Sequence, residues 1–208
     1  MARRFLTDEA KQAFIEAIET CEGCSSAEVV VTIRARSASY LHADLIWGAL
    51  AAFATLPVLL FSDWVFPLWS FLVDPLLVGG IVGVAAARVP AARRLLTPIG
   101  TRAAWVRRAA RATFFEKGVR QTRARTGILV YLSLTERRAE VIADSGVVDA
   151  VDPEDWARAV TRIDAAVAGG ADGLTIARTV AELSKVLEPA LERSADDVNE
   201  LPDEVSAT

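Results

Sequence analysis

Apolar residues gather in one long block of the chain, between two flanks in which they recur at helix or strand spacing. Residues 45–62 read LIWGALAAFATLPVLLFS without a charge, and a helix of this length spans about 27 Å, close to the hydrocarbon thickness of a bilayer. The next apolar segment, PLWSFLVDPLLVGGIVGVAAAR, contains a single acid, Asp74. Core helices of soluble proteins seldom run this long without a polar face, so the pattern predicts a transmembrane hairpin with spans at about 44–62 and 66–88.

Several residues refine the predicted hairpin. Trp64 and Trp69 stand where membrane proteins carry an interfacial aromatic belt. Asp74 and Pro75 are typical of an N-cap and a first helical turn, and a helix that starts there is short unless the Ser-Phe-Leu-Val segment before it extends it. We expect Asp74 near the outer interface; the alternative is a functional acid within the membrane. Small residues four positions apart suit close packing of the two spans or of two protomers, and they are Gly48, Ala52, Gly79 and Gly83.

The flank ahead of the hairpin predicts one helix and one strand. FLTDEAKQAFIEAIETCEG has Thr7 or Asp8 as its N-cap and places Phe14, Ile15 and Ile18 on one face. AEVVVTIRA is a β-branched run between serine-containing segments, which predicts a buried strand. These residues are largely polar and charged, so no cleavable signal peptide is expected ahead of the hairpin.

The flank behind the hairpin predicts a helix, a strand pair and two further helices. The strands are GILVYLSL and AEVIAD, which a tight Thr-Glu-Arg-Arg turn makes antiparallel. A helix starts at Asp152 as N-cap and Pro153, a glycine-rich break ends it, and LTIARTVAELSKVLEPAL is the last helix. Residues 101–123 form the helix before the strands, with a predicted apolar stripe of Trp105, Ala109, Ala112, Phe115 and Val119.

Neither strand of this pair buries both faces alone, so we expect AEVVVTI to join them and helices to cover the sheet. The predicted fold class is α/β: a compact αβα sandwich with a short mixed sheet, interrupted by a two-helix transmembrane hairpin. The predicted organisation is a first domain part at 1–40, the hairpin at 43–89, a second domain part at 90–190 and a disordered acidic tail at 191–208.

Charge is distributed unevenly around the net value of −4. Residues 88–125 hold eleven bases against the single acid Glu116, whereas residues 139–208 hold sixteen acids and five bases. Bases flank both outer ends of the hairpin and its turn has none, so the positive-inside rule predicts a two-pass inner-membrane protein with both soluble arms in the cytoplasm. The bases suit anionic lipid head groups of the bilayer, and nucleic-acid binding is not expected of an acidic protein. The candidate membrane-surface bases are Arg88, Arg93, Arg94 and Arg102.

The order of elements, with AEVVVTI before the spans and TGILVYLSLTERRAEVIADSGV at 126–147 after them, resembles the TPM domain family over residues 5–190. The block is similar to GVLIYVSLLERRVEVLADRGI, which recurs in the membrane-inserted bacterial branch. The resemblance implies a compact αβα domain tied to a membrane. It also implies an accessory or partner-binding role, with LemA-type or other membrane proteins as candidate partners. A plant thylakoid member described as a metal-linked acid phosphatase implies an enzymatic alternative.

Two hypotheses for function follow: a membrane-anchored module that binds or supports other membrane proteins without catalysis, and a phosphatase that uses Ca²⁺ or Mg²⁺. The enzyme needs carboxylates around a divalent ion, and the candidate ligands are Asp144, Asp149 and Asp152. Asp144, at a strand end, is the first candidate, because Asp152 is also required as a cap. Exported members similar to the phosphatase have an Asp just before the glycine of the second strand, whereas Arg125 and Thr126 precede Gly127 here.

Three further residues carry reactive side chains. Cys21 and Cys24 have the spacing of a redox pair or half a zinc site, but the sequence has no second cysteine pair, so a structural use is expected. His42 is the single histidine and lies beside the first span, which disfavours a Ser-His-Asp triad. No cofactor besides Ca²⁺ or Mg²⁺ is expected. A third hypothesis, a homo-oligomer formed through the glycine faces, predicts that Gly83→Leu breaks assembly while the soluble domain stays folded.

Overall fold

The computed structural model describes residues 5–193, 201 and 205–207. The chain divides into two compact units, one formed by Met1–Ser37 together with Ala103–Thr208 and the other by Ala38–Arg102. The first unit contains the sheet and the helices that cover it, so the predicted α/β class is confirmed. The second unit is wider than the predicted hairpin segment 43–89, because the residues that follow the second apolar helix up to Arg102 group with the hairpin.

The first unit begins with helix α1, Asp8–Cys24, which ends one residue beyond the predicted Gly23. Thr7 is its N-cap, as one of the two predicted alternatives, and its Oγ1 accepts a hydrogen bond from the Ala10 N–H at 3.2 Å. Phe14 and Ile18 are fully buried, whereas Ile15 is half-buried at the edge of that face. The burial of one face attaches α1 to the sheet.

The sheet has four strands in the order β3-β2-β1-β4: β1 is Glu28–Arg34, β2 Gly127–Ser133, β3 Arg138–Ala143 and β4 Ser206–Ala207. β1 and β2 are parallel, with Glu28 opposite Gly127, and β2 and β3 form the predicted antiparallel pair. Both central strands are buried on their two faces, which explains why they read as continuous apolar runs.

Helices cover both faces of the sheet. On one face, α1 packs with α7 (Pro153–Gly169), α8 (Gly173–Ala181) and the short α9 (Ser184–Leu187) around a core that includes Val31, Ile33 and Val130. On the other face, α5 (Ile99–Glu116) packs against Leu129 and Tyr131. The six-residue helix α6, Ser145–Ala150, follows β3 directly.

The predicted apolar stripe of α5 is wrong by one residue. The buried residues are Val106, Ala110, Thr113 and Phe114. Of the predicted set, Trp105 and Ala109 are half-buried and Ala112 and Phe115 are exposed. Apolar residues occupy adjacent positions in this helix, so two stripes about 100° apart both fit a 3.6-residue period, and the sheet selects one of them.

The end of α5 also differs from the predicted helix 101–123. Gly118 adopts a left-handed conformation with φ of 65° and closes the helix, and a 3-10 turn, Val119–Gln121, follows. Val119 is buried as predicted, although it belongs to this turn. Of the two helices predicted after the strands, α7 has its predicted start, because Asp152 Oδ1 accepts hydrogen bonds from the N–H groups of Glu154 and Asp155. The predicted last helix is divided into α8 and α9 by a turn at 182–183, and α6 was not predicted.

The second unit contains two apolar helices, α2 (Leu41–Phe61) and α3 (Ser70–Ala87), and the short helix α4 (Pro90–Leu95). Of the two helix starts that the sequence leaves open, α3 takes the earlier one: it begins with the Ser-Phe-Leu-Val segment, Trp69 is its N-cap, and Asp74 and Pro75 lie inside it. Starting earlier gives the helix an extra turn of apolar residues, and an apolar helix accepts an internal proline when neighbouring groups satisfy the freed backbone oxygen.

The predicted disordered tail at 191–208 falls largely on residues outside the described part of the chain. Within the described part, Leu191 is buried in the core, and its carbonyl oxygen accepts a hydrogen bond from the Ser26 N–H at 3.2 Å. Ser206 and Ala207 pair with β1 as strand β4, which the sequence pattern did not predict.

Candidate functional site

Asp144, the first candidate metal ligand, lies at the end of β3 as the N-cap of α6. Its Oδ1 accepts a hydrogen bond from the Ser145 N–H at 2.8 Å and lies 3.7 Å from Nη1 of Arg125. Its side chain is 10% exposed, and Oδ2 is buried without a hydrogen-bond partner among the described residues. Asp144 is therefore a helix cap beside a guanidinium group, with one carboxylate oxygen left over.

The structure does not gather the three predicted metal ligands. Asp149 is exposed on α6, and Asp152 is exposed and occupied as the cap of α7. Within the described residues, no group of three or more His, Cys, Asp or Glu side chains is placed to hold a metal ion. Asp144 alone, with Arg125 beside it, does not supply the several oxygen ligands that Ca²⁺ or Mg²⁺ requires.

Cys21 and Cys24 are free thiols on the last turns of α1. Burial raises the pKa of the Cys21 thiol to about 12, and burial together with the nearby Glu188 raises the pKa of Cys24. The thiolate is the nucleophile and the metal ligand, so raised pKa values lower the reactivity of both groups at neutral pH. Their positions against α8 and α9 fit the expected structural use.

The small residues of the hairpin lie where α2 and α3 touch. A Cβ added to Gly79 would lie 2.8 Å from the carbonyl oxygen of Gly48 and 3.1 Å from the Cβ of Ala52. A Cβ on Gly83 would lie 3.1 Å from the carbonyl oxygen of Asp44. The four predicted small residues thus bring the two helices of one chain together, which is the first of the two uses that the sequence left open.

Next to this contact, an apolar groove of about 550 Å³ runs along the hairpin. Gly80, which lines it, has open space around its Cα.

An ion pair joins α4 to the start of α2. Arg93 of α4 donates two hydrogen bonds to Asp44 of α2, from Nε to Oδ1 at 2.9 Å and from Nη2 to Oδ2 at 2.7 Å. The hydrogen bonds to Asp44 raise the pKa of the Arg93 guanidinium, whose carbon also lies 5.7 Å from the centre of the Tyr40 ring. Trp47 Nε1 donates to the Ala92 carbonyl oxygen at 3.1 Å, and His42 Nε2 lies 3.3 Å from Thr97 Oγ1.

Sequence reasoning did not predict this pair, although an acid in the first turn of one apolar helix and an arginine just behind the other is a recognisable signal. The remaining candidate membrane-surface bases have other surroundings. Arg88 is exposed, and its Nη1 donates to the Val84 carbonyl oxygen at 3.1 Å. Arg94 and Arg102 are half-buried and take part in polar interactions of their own. Arg88 is therefore the most exposed of the four bases.

A buried polar network lies at the carboxyl ends of β1 and β2. Glu136, in the turn between β2 and β3, is fully buried and accepts hydrogen bonds from Ser133 Oγ and, at 3.1 Å, from the Ser37 N–H. Ser37 Oγ lies 2.6 Å from Ser133 Oγ and 3.1 Å from the Tyr131 hydroxyl, whose pKa burial raises. Every carboxylate and hydroxyl of this group has a partner, so the network fixes the segment that leaves β1. The sequence predicts a turn at Glu136 and gives no sign that its carboxylate is buried.

Comparison with known proteins places the fold alone. No family model and no curated protein matches the sequence. The fold is similar to the NMR structure of the BA42 protein from the psychrophilic bacterium Bizionia argentinensis, with a TM-score of 0.59 and 16% sequence identity. The alignment covers 99% of this chain and 97% of that chain.

Proposed function

We propose that this chain is a membrane-anchored protein of the TPM type whose α/β unit binds or supports another membrane protein. In this proposal α2 and α3 cross the inner membrane, both soluble arms lie in the cytoplasm, and no catalytic step is required. The observation that carries the proposal is a pair of apolar helices whose side chains are exposed. Along the chain, this pair lies between β1 and β2, which are neighbours in the sheet of a folded domain.

The exposure of the apolar helices supports the anchor. In their most apolar windows, 6% of the residues of α2 and 17% of those of α3 are buried, whereas a core helix of a soluble protein is mostly buried. Large side chains such as Phe53 and Leu72 are about seven-tenths exposed, at 71% and 69%. An apolar surface of this extent is stable in contact with lipid and is unfavourable in water.

The geometry of the hairpin supports the proposed topology. Gly83, near the end of α3, touches Asp44 near the start of α2. The two helices are therefore antiparallel, and the start of α2 and the end of α3 lie at the same end of the hairpin. Arg93 and Arg88 stand at that end, and Asp63 stands in the turn at the other. Bases concentrate on the cytoplasmic side of membrane proteins, which favours a cytoplasmic α/β unit near anionic lipid head groups.

The assignment to the TPM type rests on the strand-turn-strand block at 126–147, which forms β2, the turn with Glu136, β3 and the start of α6. The proposal expects another membrane protein, of the LemA type or a different one, and leaves a homo-oligomer as an outcome of the same experiment.

Crosslinking in native membranes tests the proposal. A photo-crosslinking residue is placed at exposed positions of the α/β unit, such as Arg111 and Asp149, and at Phe53 of α2 as a lipid-facing control. We expect the protein to stay in the membrane pellet after alkaline carbonate extraction, and discrete adducts with membrane proteins from the first two positions. Extraction by carbonate would contradict the anchor, and adducts from Phe53 alone would contradict a partner on the α/β unit.

The phosphatase hypothesis remains as the second candidate because of the buried, unpartnered Oδ2 of Asp144. Calorimetric titration of the detergent-purified protein with Ca²⁺ and Mg²⁺, alongside a phosphate-ester turnover assay, tests it. Asp144→Ala is compared with Asp149→Ala, which removes an exposed carboxylate from the same region. Saturable binding and turnover that Asp144→Ala abolishes and Asp149→Ala leaves intact would replace the partner-binding proposal with the enzymatic one.

A further inference from the structure

Two apolar recesses adjoin on the surface of the hairpin unit. The first is the groove of about 550 Å³ between α2 and α3, and its α3 wall includes Leu76, Gly80 and Val84. The second, which we call the α3 pocket, has a volume of about 500 Å³ and is lined by Gly80, Ile81, Val84, Ala85 and Arg88. Recesses of this size hold small ligands. Because Gly80 and Val84 line both, a ligand with two apolar parts can fill the groove and the α3 pocket together.

The α3 pocket ends at a base whose side chain turns back towards it. Arg88 is the C-cap residue of α3, and its Nη1 donates to the Val84 carbonyl oxygen at 3.1 Å. Val84 lies one helical turn before Arg88, so this bond directs the guanidinium along the pocket wall. The bond uses one of the five N–H donors of the group. Arg88 is exposed, and within the described part of the chain no carboxylate pairs with it.

The acid that lines the groove is already paired. Both carboxylate oxygens of Asp44 accept hydrogen bonds from Arg93, at 2.9 and 2.7 Å. Opposite charges held this close largely cancel each other's field at the distance of a bound ligand. Among the residues that line the two recesses, Arg88 therefore carries the one charge that is not compensated.

In the proposed membrane setting, Arg88 lies at the depth of the lipid head groups. The 18 residues of α3 rise about 27 Å, which is close to the hydrocarbon thickness of a bilayer, and Arg88 follows the last of them. Gly80 lies about 12 Å deeper along the helix, where acyl chains are found. A single lipid molecule therefore reaches both the base and the apolar floor of the α3 pocket.

We propose that the groove, the α3 pocket and Arg88 bind one anionic phospholipid of the cytoplasmic leaflet. Its two acyl chains lie on either side of Val84, one in each recess, and its phosphate accepts hydrogen bonds from Arg88. A zwitterionic lipid fills the same apolar recesses, but the cation beside its phosphate weakens the attraction to the guanidinium. The inference rests on the proposed function, because it requires α2 and α3 to lie in the membrane.

An anionic lipid suits this surface better than a helix of another protein. A helix that occupied both recesses would need an acid at the level of Arg88, and a second copy of the hairpin offers Asp44 there, which Arg93 already holds. A phospholipid supplies two chains and an anion in one molecule, and the bilayer contains it in large excess. The site therefore selects a lipid by its charge.

Native mass spectrometry of the full chain, released from detergent micelles, measures the selection by charge. The protein is titrated with phosphatidylglycerol and with phosphatidylcholine of identical acyl chains. We expect one phosphatidylglycerol per chain to bind about fivefold more tightly, which is the effect of one base on an anionic lipid. Arg88→Gln abolishes this preference. Arg111→Gln, which removes the same charge from an exposed position of α5, is the matched control and keeps it.

Gly80→Leu tests the apolar part of the site. A Cβ on Gly80 meets nothing within 4 Å, so the new side chain fills the recesses without disturbing the contact between the helices. We expect both lipids to bind about tenfold more weakly, because the leucine displaces about two methylene groups of the lipid. Ala54→Leu adds bulk at an exposed position of α2 outside both recesses, and as the control it leaves both affinities unchanged.

Equal affinities for the two lipids, or a preference that survives Arg88→Gln, would overturn the lipid site. It would also be overturned if Gly80→Leu changed the oligomeric state in detergent and left lipid binding intact, because the groove would then hold a second copy of the chain. Each of these results, found in a protein that resists alkaline carbonate extraction, would leave the proposed anchor standing. Extraction by carbonate would contradict the anchor itself.

Discussion

At the scale of single residues, the Asp44–Arg93 pair has the strongest geometry in the hairpin unit. Both side chains are about one-eighth exposed, at 14% and 13%, and the guanidinium presents two parallel donors to the two carboxylate oxygens. Such bidentate pairs are selective for arginine, because the ammonium group of lysine is a single point of charge. The pair therefore ties α4 to the start of α2 through the shape of the group as well as through its charge.

We expect Arg93→Ala to destabilise the hairpin unit by about 3 kcal/mol, because it leaves the Asp44 carboxylate largely buried without its partner. Arg93→Lys keeps the positive charge but cannot donate the two parallel hydrogen bonds, so we expect an intermediate loss of stability. Thermal unfolding in detergent measures both, read by the fluorescence of Trp47 in a chain whose other four tryptophans are replaced by phenylalanine. Arg88→Ala is the control, since Arg88 is exposed and its side chain makes one hydrogen bond to a backbone carbonyl. Equal losses for Arg88→Ala and Arg93→Ala would contradict this account of the pair.

The buried thiol of Cys21 predicts a dependence of stability on alkaline pH. Its pKa is about 12 in the folded protein and about 8.5 in an unfolded chain, so unfolding releases a proton above pH 8.5. The stability due to the buried neutral thiol is complete below pH 8.5 and is lost as the pH rises towards 12. The free energy of unfolding declines by up to about 1.4 kcal/mol per pH unit from this group alone.

Urea unfolding between pH 7.5 and 10.5 measures the effect of Cys21. We expect the slope of stability against pH to be shallower in Cys21→Ala than in the unchanged protein, whatever offset the smaller side chain adds at pH 7.5. Cys24→Ala is the matched control, because its thiol is half-buried and loses less solvation on folding. Parallel slopes for the unchanged protein and Cys21→Ala would exclude the thiol as the titrating group.

At the scale of elements, two adjacent glycines differ in their place at the contact between α2 and α3: Gly79 lies in the contact and Gly80 lies outside it. A methyl group on Gly79 would lie 2.8 Å from the Gly48 carbonyl oxygen, whereas one on Gly80 would meet nothing within 4 Å. We expect Gly79→Ala to push the helices apart and to cost about 1–3 kcal/mol, and Gly80→Ala to leave the hairpin intact. Thermal unfolding of each variant in detergent reports the stability of the helix pairing.

The same pair of variants addresses the oligomer hypothesis. If Gly80→Ala changes the oligomeric state in detergent while the unfolding temperature stays constant, the groove beside Gly80 contacts a second protomer. A Gly80→Ala protein that behaves like the unchanged one in both measurements assigns the small residues to the contact within one chain. Gly83→Leu, the variant that the sequence suggested, is ambiguous because Gly83 touches Asp44 within the hairpin.

Elements that depend on local chemistry could be predicted from the sequence. Thr7 and Asp152 cap their helices because a side-chain oxygen of Thr or Asp reaches the next N–H groups. The strands β1 and β2 can be recognised from their continuous apolar runs, which contain β-branched residues. The stripe of α5 could not be fixed, since the sheet decides which of two overlapping apolar faces is buried. The start of α3 could not be fixed either, because Asp74-Pro75 is a strong local start signal that an apolar helix overrides.

The contacts that define the candidate sites are long-range, which explains why the sequence did not reveal them. Asp44 and Arg93 meet because two helices pair, and Glu136 is buried because the segment after β1 folds over it. β4 is two residues long and has no periodicity to read. The acids at 144, 149 and 152 looked like a cluster along the chain, but two of them are helix caps that face their own backbones.

At the scale of the whole molecule, charge and hydropathy together predict the orientation. A single cysteine placed at Asp63, in the turn between α2 and α3, is expected to react from outside intact cells with a membrane-impermeant thiol reagent. One placed at Asp149, on the exposed side of α6, is expected to react after the membrane is permeabilised. Both are introduced into a chain with Cys21→Ala and Cys24→Ala. The reverse labelling pattern would invert the proposed topology.

The insertion of α2 and α3 between β1 and β2 has a consequence for how the protein is made. β1 cannot form its main ladder until β2 leaves the ribosome, and the whole hairpin is translated in the interval. In the proposed membrane setting, the anchor is therefore delivered to the bilayer before the sheet exists, and β1 waits as an unpaired strand in the meantime. A chain that fails to insert exposes an aggregation-prone apolar segment, which lies between its two central strands along the chain. Insertion of the anchor and formation of the sheet are thus coupled during biosynthesis.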